Sequence, residues 1–303
     1  MGTTLYKNAD WIITMNEKRE KIRHGDLLIS GKEILDVGTD LEKKYEGTLK
    51  IDHVVEAEGT VILPGFVNVH HHTWQSLIRN IQATRGLKLE PWLTVMYEIY
   101  KDLNTDVARA GVYSGLGDML KTGCTTSNDL WYPHPVGVKY LVDAEIEAAA
   151  EIGIRFHPTR GFHSVPSSIV PPEVVDTKES VVEDTIRLVK KYHDRSRFSM
   201  CQVGIAPSIA QYETEDIIEA VVDLAEEYDI MVHGHLAESQ HEVEYTLKTW
   251  GCRPFEWFKR HRLLGKRFYF AHCIHLNEEE IAQMAETGTG VAHCPISNML
   301  LSS

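Results

Sequence analysis

The stretch Leu63-Pro64-Gly65-Phe66-Val67-Asn68-Val69-His70-His71-His72 decides the predicted fold of this chain. It is an apolar run that passes a Pro-Gly pair, continues as an extended segment and ends in three histidines. Successive side chains of a β-strand point to opposite faces, so His70 and His72 share one face and His71 takes the other. Two imidazoles on one face, about 6.6 Å apart along the backbone, can bind one metal ion. The competing interpretation is a polar loop that happens to be rich in histidine, because short histidine tracts are only compositional hints.

The composition is that of a sizeable globular protein. The chain has 303 residues, 43% of them hydrophobic, which is enough for one α/β barrel with a small accessory piece or for two domains. The formal net charge is −13 and the chain has no Lys/Arg-rich run. A protein that binds the nucleic-acid backbone needs the opposite charge balance, so we expect no nucleic-acid partner.

The five cysteines are odd in number, widely spaced and form no C-x-x-C pair. That pattern argues against a disulfide framework and against a thiolate zinc site, and it favours a reducing compartment. Residues 1–10 lack the basic and apolar regions of a signal peptide, and no stretch approaches the roughly 18 consecutive apolar residues of a membrane span. We expect a soluble, cytoplasmic protein with no membrane partner.

Residues 1–62 are predicted to form short β-strands. Strand-like runs cover residues 5–15 and 54–62, and residues 26–38 have the pattern of a hairpin with a glycine-containing turn. Strands this short bury little apolar surface alone. We therefore expect them to complete a sheet together with another segment.

From residue 61 onward the pattern repeats as strand, loop and helix. Helices are predicted at 106–122 after Thr105, 137–151 before Gly153, 178–192 after Thr177, 215–228 after Thr214, and from a capping box of Asn277 and Glu280 to Gly288. Strands are predicted between them at 125–130, 154–157, 200–205, 230–233, 268–271 and 290–292. Such alternation indicates parallel strands joined by crossover helices.

With the strand that ends at His70 there are seven strand–helix units, whereas a closed (β/α)₈ barrel needs eight. Either the sheet is open and doubly wound, or the chain is a barrel without its last strand. Polar residues at the predicted strand ends bear on this choice, because the carboxyl ends of parallel strands converge on one face. They are His70, His72, Asn128, Asp129, His157, Arg160, His233, His235, Glu238, His272 and His293. Core packing readily accounts for a histidine at one strand end, but it does not readily account for histidines at several strand ends.

Four stretches of sequence that contain these strand-end residues resemble successive motifs of the amidohydrolase superfamily. They are Pro64-Gly65-Phe66-Val67-Asn68-x-His70-x-His72, His233-x-His235-Leu236-Ala237-Glu238, Ala271-His272, and His293-Cys294-Pro295-x-Ser297-Asn298. The resemblance is to the branch of nucleobase deaminases and s-triazine hydrolases, and it extends from about residue 5 to the last residue. Three further runs are most similar to 8-oxoguanine and isocytosine deaminases: Gly123-Cys124-Thr125-Thr126-Ser127-x-Asp129, Arg155-Phe156-His157-x-Thr159-Arg160-Gly161 and Gly288-Thr289-Gly290-Val291-Ala292-His293.

The resemblance implies that residues 63–303 are a (β/α)₈ TIM-type barrel whose last strand is absent from this chain. It also implies that residues 1–62 are the N-terminal part of a small β-sandwich domain. It implies that His70, His72 and His235 are metal ligands and that Glu238 is the proton shuttle. His272 would hold the metal-bound hydroxide or the leaving side of the substrate. Three neutral imidazoles leave positions open on a divalent ion, which is the arrangement of a catalytic site. Zinc suits such ligands, and iron is the alternative.

Other polar residues near these motifs are open to more than one interpretation. His71 is expected to pack behind the site, and His233 is a second candidate ligand because it shares a face with His235. His293 either lines the pocket or supports it. Aromatic faces stack on planar rings, and Arg or Gln can bond a ring edge. The candidates for contact with a heterocyclic substrate are Gln75, Trp92, Tyr132 and Arg160.

The family pattern also places an aspartate ligand at the end of strand eight, and no aspartate follows His293 in this chain. We therefore expect the chain to be a fragment of a longer protein. The insertion over residues 73–104 is of a kind that barrels often bury between subunits. The sequence is therefore compatible with a homo-oligomer, although it does not fix the oligomeric state.

The leading functional hypothesis is a metal-dependent hydrolytic deaminase of an aminated N-heterocycle. A hydroxide attacks the ring carbon, Glu238 moves the protons, and ammonia leaves. One alternative is an s-triazine chlorohydrolase or alkylaminohydrolase, although departing chloride has less need of an acid such as Glu238. Another alternative is a metal-binding fragment without catalytic activity, which the missing aspartate favours.

Overall fold

The computed structural model describes residues 2–303 and contains two compact units, the first ending at Phe66 and the second running from Val67 to Ser303. The first unit is a five-stranded mixed sheet. Its strands are β1 (Thr3–Ile13), β2 (Lys21–Ser30), β3 (Glu33–Gly38), β4 (His53–Glu56) and β5 (Val61–Ile62), with a short helix α1 (Leu41–Lys44) after β3. The order is β3-β2-β1-β4, and β5 also pairs with β1.

The predicted hairpin over residues 26–38 is present as the antiparallel pair β2 and β3. The predicted run over residues 54–62 is two strands, both parallel to β1. Leu5, Leu28 and Leu41 form a small apolar cluster in this unit.

The second unit is organised around seven strands. They are β6 (Phe66–Asn68), β7 (Cys124–Trp131), β8 (Arg155–Phe162), β9 (Gly204–Pro207), β10 (Val232–Leu236), β11 (Phe268–His272) and β12 (Gly290–Ala292). They lie in one sheet in strict chain order, and the pairs from β7 to β12 are parallel. A doubly wound sheet reverses its strand order part-way, whereas a barrel follows the chain. The order therefore confirms the barrel-type α/β fold, with β6 and β12 as the edges of the sheet.

Helices connect these strands. They are α2 (Leu89–Tyr100), α3 (Thr105–Lys121), α4 (Leu141–Ile152), α5 (Lys178–Tyr192), α6 (Glu215–Tyr228), α7 (Gln240–Trp250), α8 (Pro254–Arg260), α9 (Glu278–Thr287) and α10 (Pro295–Leu301). The predicted cap at Thr177 and the capping box of Asn277 and Glu280 are confirmed by their hydrogen bonds. The start of α3 is a correction, because Asn104 rather than Thr105 caps it by accepting from two backbone amides. The sequence pattern did not predict α2, α7 or α8.

The main core lies between the strands and the helices. Phe156, Ile205, Val232 and Phe270 on the strands are at most 2% exposed. Helix α6 contributes apolar residues at helical spacing, among them Ile218 and Val222. Among residues 2–303, no helix combines the length and the apolar character that a bilayer crossing needs.

Close strand packing requires glycine at one position beside the site. A Cβ atom on Gly161 in β8 would lie 2.4 Å from the Trp131 carbonyl oxygen of β7. The next nearest atoms, the Trp131 carbonyl carbon and the Tyr132 Cα at 2.9 Å, are also backbone, so no flexible side chain can move aside. We predict that Gly161→Ala lowers the free energy of unfolding by about 1–3 kcal/mol, as overpacked cores do. Urea denaturation measures it.

Gly117→Ala is the matched control, because Gly117 lies inside α3 and a Cβ atom added there would meet no atom within 4 Å apart from its chain neighbours and the backbone of its own helix. It should stabilise the protein slightly, since alanine is the better helix former by about 1 kcal/mol. Equal effects of the two substitutions would contradict the packing argument.

Candidate metal centre and active site

The structure brings three of the predicted site histidines together at the carboxyl ends of the strands. His70 and His72 follow β6, and His235 lies in β10. One ring nitrogen from each of the three lies within 4.8 Å of the others. The His70 ring centroid is 4.8 Å from that of His72 and 5.0 Å from that of His235. Segments more than 160 residues apart therefore contribute to one cluster.

Backbone carbonyls hold two of these rings in one orientation. The Nδ1 of His72 donates to the Leu130 carbonyl oxygen at 2.8 Å, and the Nδ1 of His235 donates to the Ser208 carbonyl oxygen at 2.7 Å. A carbonyl can only accept, so each Nδ1 carries the proton. Burial keeps both rings neutral, lowering the pKa of His235 to about 3 and that of His72 well below its ordinary value. Each Nε2 is therefore an unprotonated lone pair.

His233 holds the third ring. The Nδ1 of His233 donates to the Tyr269 carbonyl oxygen at 2.9 Å, so its Nε2 is an acceptor. The Nδ1 of His70 lies 2.8 Å from that acceptor and donates to it, which leaves the Nε2 of His70 unprotonated. The Tyr269 ring stacks on His233 with centroids 4.1 Å apart. His233 thus orients His70, and the alternative in which it is itself a ligand is not supported.

The lone pairs make the cluster suited to a cation. The Nε2 atoms of His72 and His235 lie 3.3 Å apart with no proton between them, a repulsive contact unless a positive charge lies between. Two nitrogens bound to one tetrahedral ion at about 2.0–2.1 Å stand about 3.3 Å apart. The observed separation fits that value. In metal sites, a histidine that binds the ion through one ring nitrogen typically donates a hydrogen bond from the other to a carbonyl or a second side chain.

Glu238 and His272 lie beside this cluster. Glu238 is 6% exposed, and its Oε1 is 3.4 Å from the Nε2 of His272. Burial, with a smaller contribution from Glu90, raises the pKa of Glu238 to about 8. The Nδ1 of His272 donates to the Asn298 side-chain oxygen at 2.7 Å, and burial lowers the pKa of His272. A protonated Glu238 can therefore donate to a neutral His272.

The loop that carries Glu238 is held by a residue that the sequence patterns did not single out. The carboxylate of Glu242 accepts from the backbone amides of Ala237 and Glu238, at 3.1 and 2.9 Å. Ser239 caps α7 by accepting from the Glu242 amide. The detectable signal was the S-x-x-E pattern of Ser239 and Glu242, which is that of a capping box.

A second buried carboxylate holds the segment that directly follows His72. Asp129 at the end of β7 accepts from the Thr73 amide, next to His72. Burial raises the pKa of Asp129 to about 7, and Glu145 beneath it accepts from the Thr73 hydroxyl. His71 faces away from the cluster and packs against Gly115 of α3.

The histidine cluster opens into a cavity of about 820 Å³. Gln75, Trp92 and Tyr132, which are candidates for contact with substrate, all line it, and so does His293. Gln75 donates to the Tyr100 hydroxyl at 2.9 Å. Lining residues that the sequence patterns did not point to include Glu90, Tyr97, His163, Gln211 and Tyr212.

Arg160, expected to contact the substrate, is not brought to the cavity. The residue is 2% exposed, and its guanidinium donates to Asp176 at 3.0 Å and to Asp184 at 2.9 Å. The side chain lies on the other face of β8. A buried arginine with two carboxylate partners is part of the framework.

The family model described as the amidohydrolase family matches residues 61–303. This chain belongs to the amidohydrolase family. An 8-oxoguanine deaminase from Pseudomonas aeruginosa is 34% identical over 251 residues, which is 82% of this chain and 56% of that protein. A 5-methylthioadenosine/S-adenosylhomocysteine deaminase from Bacillus cereus is 32% identical over 99% of this chain and 65% of its own length.

Among solved structures, atrazine chlorohydrolase from Arthrobacter aurescens TC1 complexed with zinc is 25% identical, with a TM-score of 0.91 over 99% of this chain and 67% of that one. This chain thus spans less than two thirds of the length of each of the two deaminases. The family and its barrel-type fold are therefore shown for this chain.

The hydrogen bond from His70 to His233 predicts a measurable effect on zinc affinity. His233→Ala removes the acceptor that fixes the His70 ring. Zinc affinity should fall about 10–100-fold, as it does when other residues that hydrogen-bond to metal ligands are removed. His233→Gln retains an acceptor oxygen and should lose less. Competition with a chromophoric chelator measures both.

His53→Ala is the control, because His53 lies exposed on β4 of the first unit. It should leave zinc affinity unchanged. An unchanged affinity in His233→Ala would contradict the orienting role of His233.

Proposed function

We propose that this chain carries the metal-binding and proton-transfer groups of a hydrolytic deaminase that acts on an aminated N-heterocycle and releases ammonia. One observation supports this proposal most strongly. Glu238, a buried carboxyl whose pKa is raised, lies beside three imidazoles whose unprotonated nitrogens converge. Relatives named as deaminases of 8-oxoguanine and of 5-methylthioadenosine support the reaction class. The ring is proposed to be a purine, pyrimidine or pterin.

His70, His72 and His235 would hold one divalent ion. Zinc is the proposed ion, because a related chlorohydrolase is complexed with zinc, and iron is the alternative. When bound in such a site, a divalent ion lowers the pKa of water toward about 7 and so supplies hydroxide at neutral pH. The side chains around the site carry out the remaining steps.

Glu238 moves the protons. It receives the proton that water loses on attack and delivers it to the ring nitrogen next to the attacked carbon. It then transfers the proton of the newly formed hydroxyl to the amino group, and the C–N bond breaks to release ammonia. A pKa near neutrality suits both directions of transfer, and burial supplies it. His272 accepts from the protonated Glu238 through Nε2 and keeps that carboxyl turned toward the reacting centre.

Displacement of chloride from a triazine is the reaction named for one structural neighbour, and it is separable from deamination by product. Chloride leaves without accepting a proton, so the buried acid Glu238 favours an amine leaving group. A panel of guanine, 8-oxoguanine, isocytosine, cytosine, pterins, aminotriazines and chlorotriazines, assayed for both ammonia and chloride, identifies the reaction.

Glu238→Gln should lower ammonia release by about 10²–10⁴-fold, the usual contribution of a general acid–base group. Zinc content, measured by elemental analysis, should be unchanged, since Glu238 is not among the converging ligands. Glu244→Gln on the exposed side of α7 is the matched control and should retain full activity. Near-normal ammonia release by Glu238→Gln would contradict the proposed role.

Removal of the ion should abolish turnover without unfolding the protein. Dialysis against dipicolinate is expected to stop ammonia release, and added zinc should restore it. Circular dichroism before and after dialysis checks the fold. Full ammonia release by a chain shown to contain no metal would overturn the proposal.

A further inference from the structure

Cys294 lies beside the histidine cluster and has no part in the reaction proposed above. It is a free, half-buried cysteine that follows β12 and lines the same cavity as the cluster. Its Sγ, one ring nitrogen of His70 and one ring nitrogen of His272 all lie within 4.8 Å of one another. These three atoms are a second set of metal-ligating groups, and this set shares His70 with the first.

The two imidazoles of this second set each offer an unprotonated nitrogen. The Nδ1 of His70 donates to His233, and the Nδ1 of His272 donates to the Asn298 side-chain oxygen. A neutral ring carries one proton, so Nε2 is the lone pair in both rings. The centroids of the His70 and His272 rings are 5.5 Å apart, which lets both rings reach one ion.

The sulfur of Cys294 is held by weak bonds to the backbone. Its thiol donates to the Ala292 carbonyl oxygen at 3.4 Å, and the His272 backbone hydrogen-bonds the sulfur. A cation that binds the sulfur takes the place of the thiol proton, which passes to the buffer. The hydrogen bond from the His272 backbone is retained, and it stabilises the thiolate that forms.

The two ligand sets suit different cations. The Nε2 atoms of His72 and His235 are 3.3 Å apart, which matches two bonds of zinc length. A soft cation prefers a set that contains a thiolate, because sulfur is a soft ligand. Cd²⁺ is larger and softer than Zn²⁺. It therefore fits the narrow imidazole spacing less well and gains more from binding the sulfur of Cys294.

We propose that His70, His272 and Cys294 form a second cation position that takes a soft, thiol-binding divalent ion such as Cd²⁺. His70 has one free nitrogen, so it can bind an ion in only one of the two positions at a time. Occupation of the second position also takes the Nε2 of His272, which otherwise accepts from Glu238. The three ligands bind the ion whatever heterocycle the chain acts on.

Titration of the zinc-loaded full chain with Cd²⁺, followed by ultraviolet absorption, tests this position. A thiolate bound to Cd²⁺ absorbs through charge transfer from sulfur to the metal, whereas Cd²⁺ bound by imidazoles alone lacks this absorption. The absorption should rise with the first equivalent of Cd²⁺. The zinc content of the desalted chain, measured by elemental analysis, should fall in step, because both ions need His70.

Cys294→Ser keeps the size of the side chain and removes the sulfur, so the absorption at the first equivalent should be lost. His272→Ala keeps the sulfur and removes one imidazole, and the affinity for Cd²⁺ should fall about tenfold or more. Cys201→Ser is the matched control. Cys201 is also half-buried, but it lies just before β9, at the opposite end of the sheet from the cluster, and its loss should leave the absorption unchanged.

Absence of the absorption in the unaltered chain overturns the second position. Absorption that persists in Cys294→Ser also overturns it, because Cd²⁺ would then be on another cysteine, and full retention of zinc rules out the shared ligand His70. None of these results bears on the deaminase proposal, since no turnover is measured. If Cys294→Ser does not fold, X-ray absorption at the cadmium edge decides. One sulfur neighbour with imidazole scattering that diminishes in His272→Ala supports the position, and a shell without sulfur, or one unaffected by His272→Ala, overturns it.

Discussion

The convergence of three unprotonated imidazole nitrogens is the constraint on which the second unit depends. The Nε2 atoms of His72 and His235 are 3.3 Å apart, and each is fixed there by a hydrogen bond from the opposite side of its own ring. Burial keeps the rings neutral, so nothing but a cation between them turns the contact from repulsive to favourable. The surrounding strands and loops have to hold this arrangement against that repulsion.

The parallel sheet supplies the necessary rigidity. Each Nδ1 acceptor comes from a different strand or strand end: Leu130 from β7, Ser208 after β9, and His233, two residues before His235, from β10. The sheet therefore fixes the three imidazoles, two through backbone carbonyls and the third through the His233 side chain. Backbone strain lies close by, since Ala237 and His272 have positive φ angles of 49° and 69° although neither is glycine. Such strain is tolerated where the surrounding structure overdetermines it, as at active sites.

The sequence predicted most of what is local and periodic. The bounds of α5 and α6 match the predicted helices, because Thr177 and Thr214 are strong start signals and the apolar spacing is regular. The start of α3 differs by one cap, since Asn104 and Thr105 are both acceptable caps and only tertiary contacts choose between them. Helix α2 lies in an insertion without a start signal of that kind, so its pattern was not distinguished from a loop.

The convergence of His70, His72 and His235 was predictable because sequence motifs name these three residues. Positions that depend on tertiary packing were much less predictable. Arg160 comes after the predicted strand over residues 154–157, as a site residue would, but in the structure it lies within β8 and is bonded by Asp176 and Asp184. No local signal in the sequence places those two carboxylates there. Glu90 lies 148 residues before Glu238 in the chain, and only the folding of the insertion brings it into the cavity.

X-ray absorption at the zinc edge of the zinc-loaded chain tests the central claim most directly. The structure predicts one ion per chain in a shell of nitrogen and oxygen at about 2.0–2.1 Å, with outer-shell scattering from three imidazoles. The outer-shell signal should diminish in His235→Ala. A sulfur shell at about 2.3 Å, or a spectrum that is the same with and without His235, would contradict it.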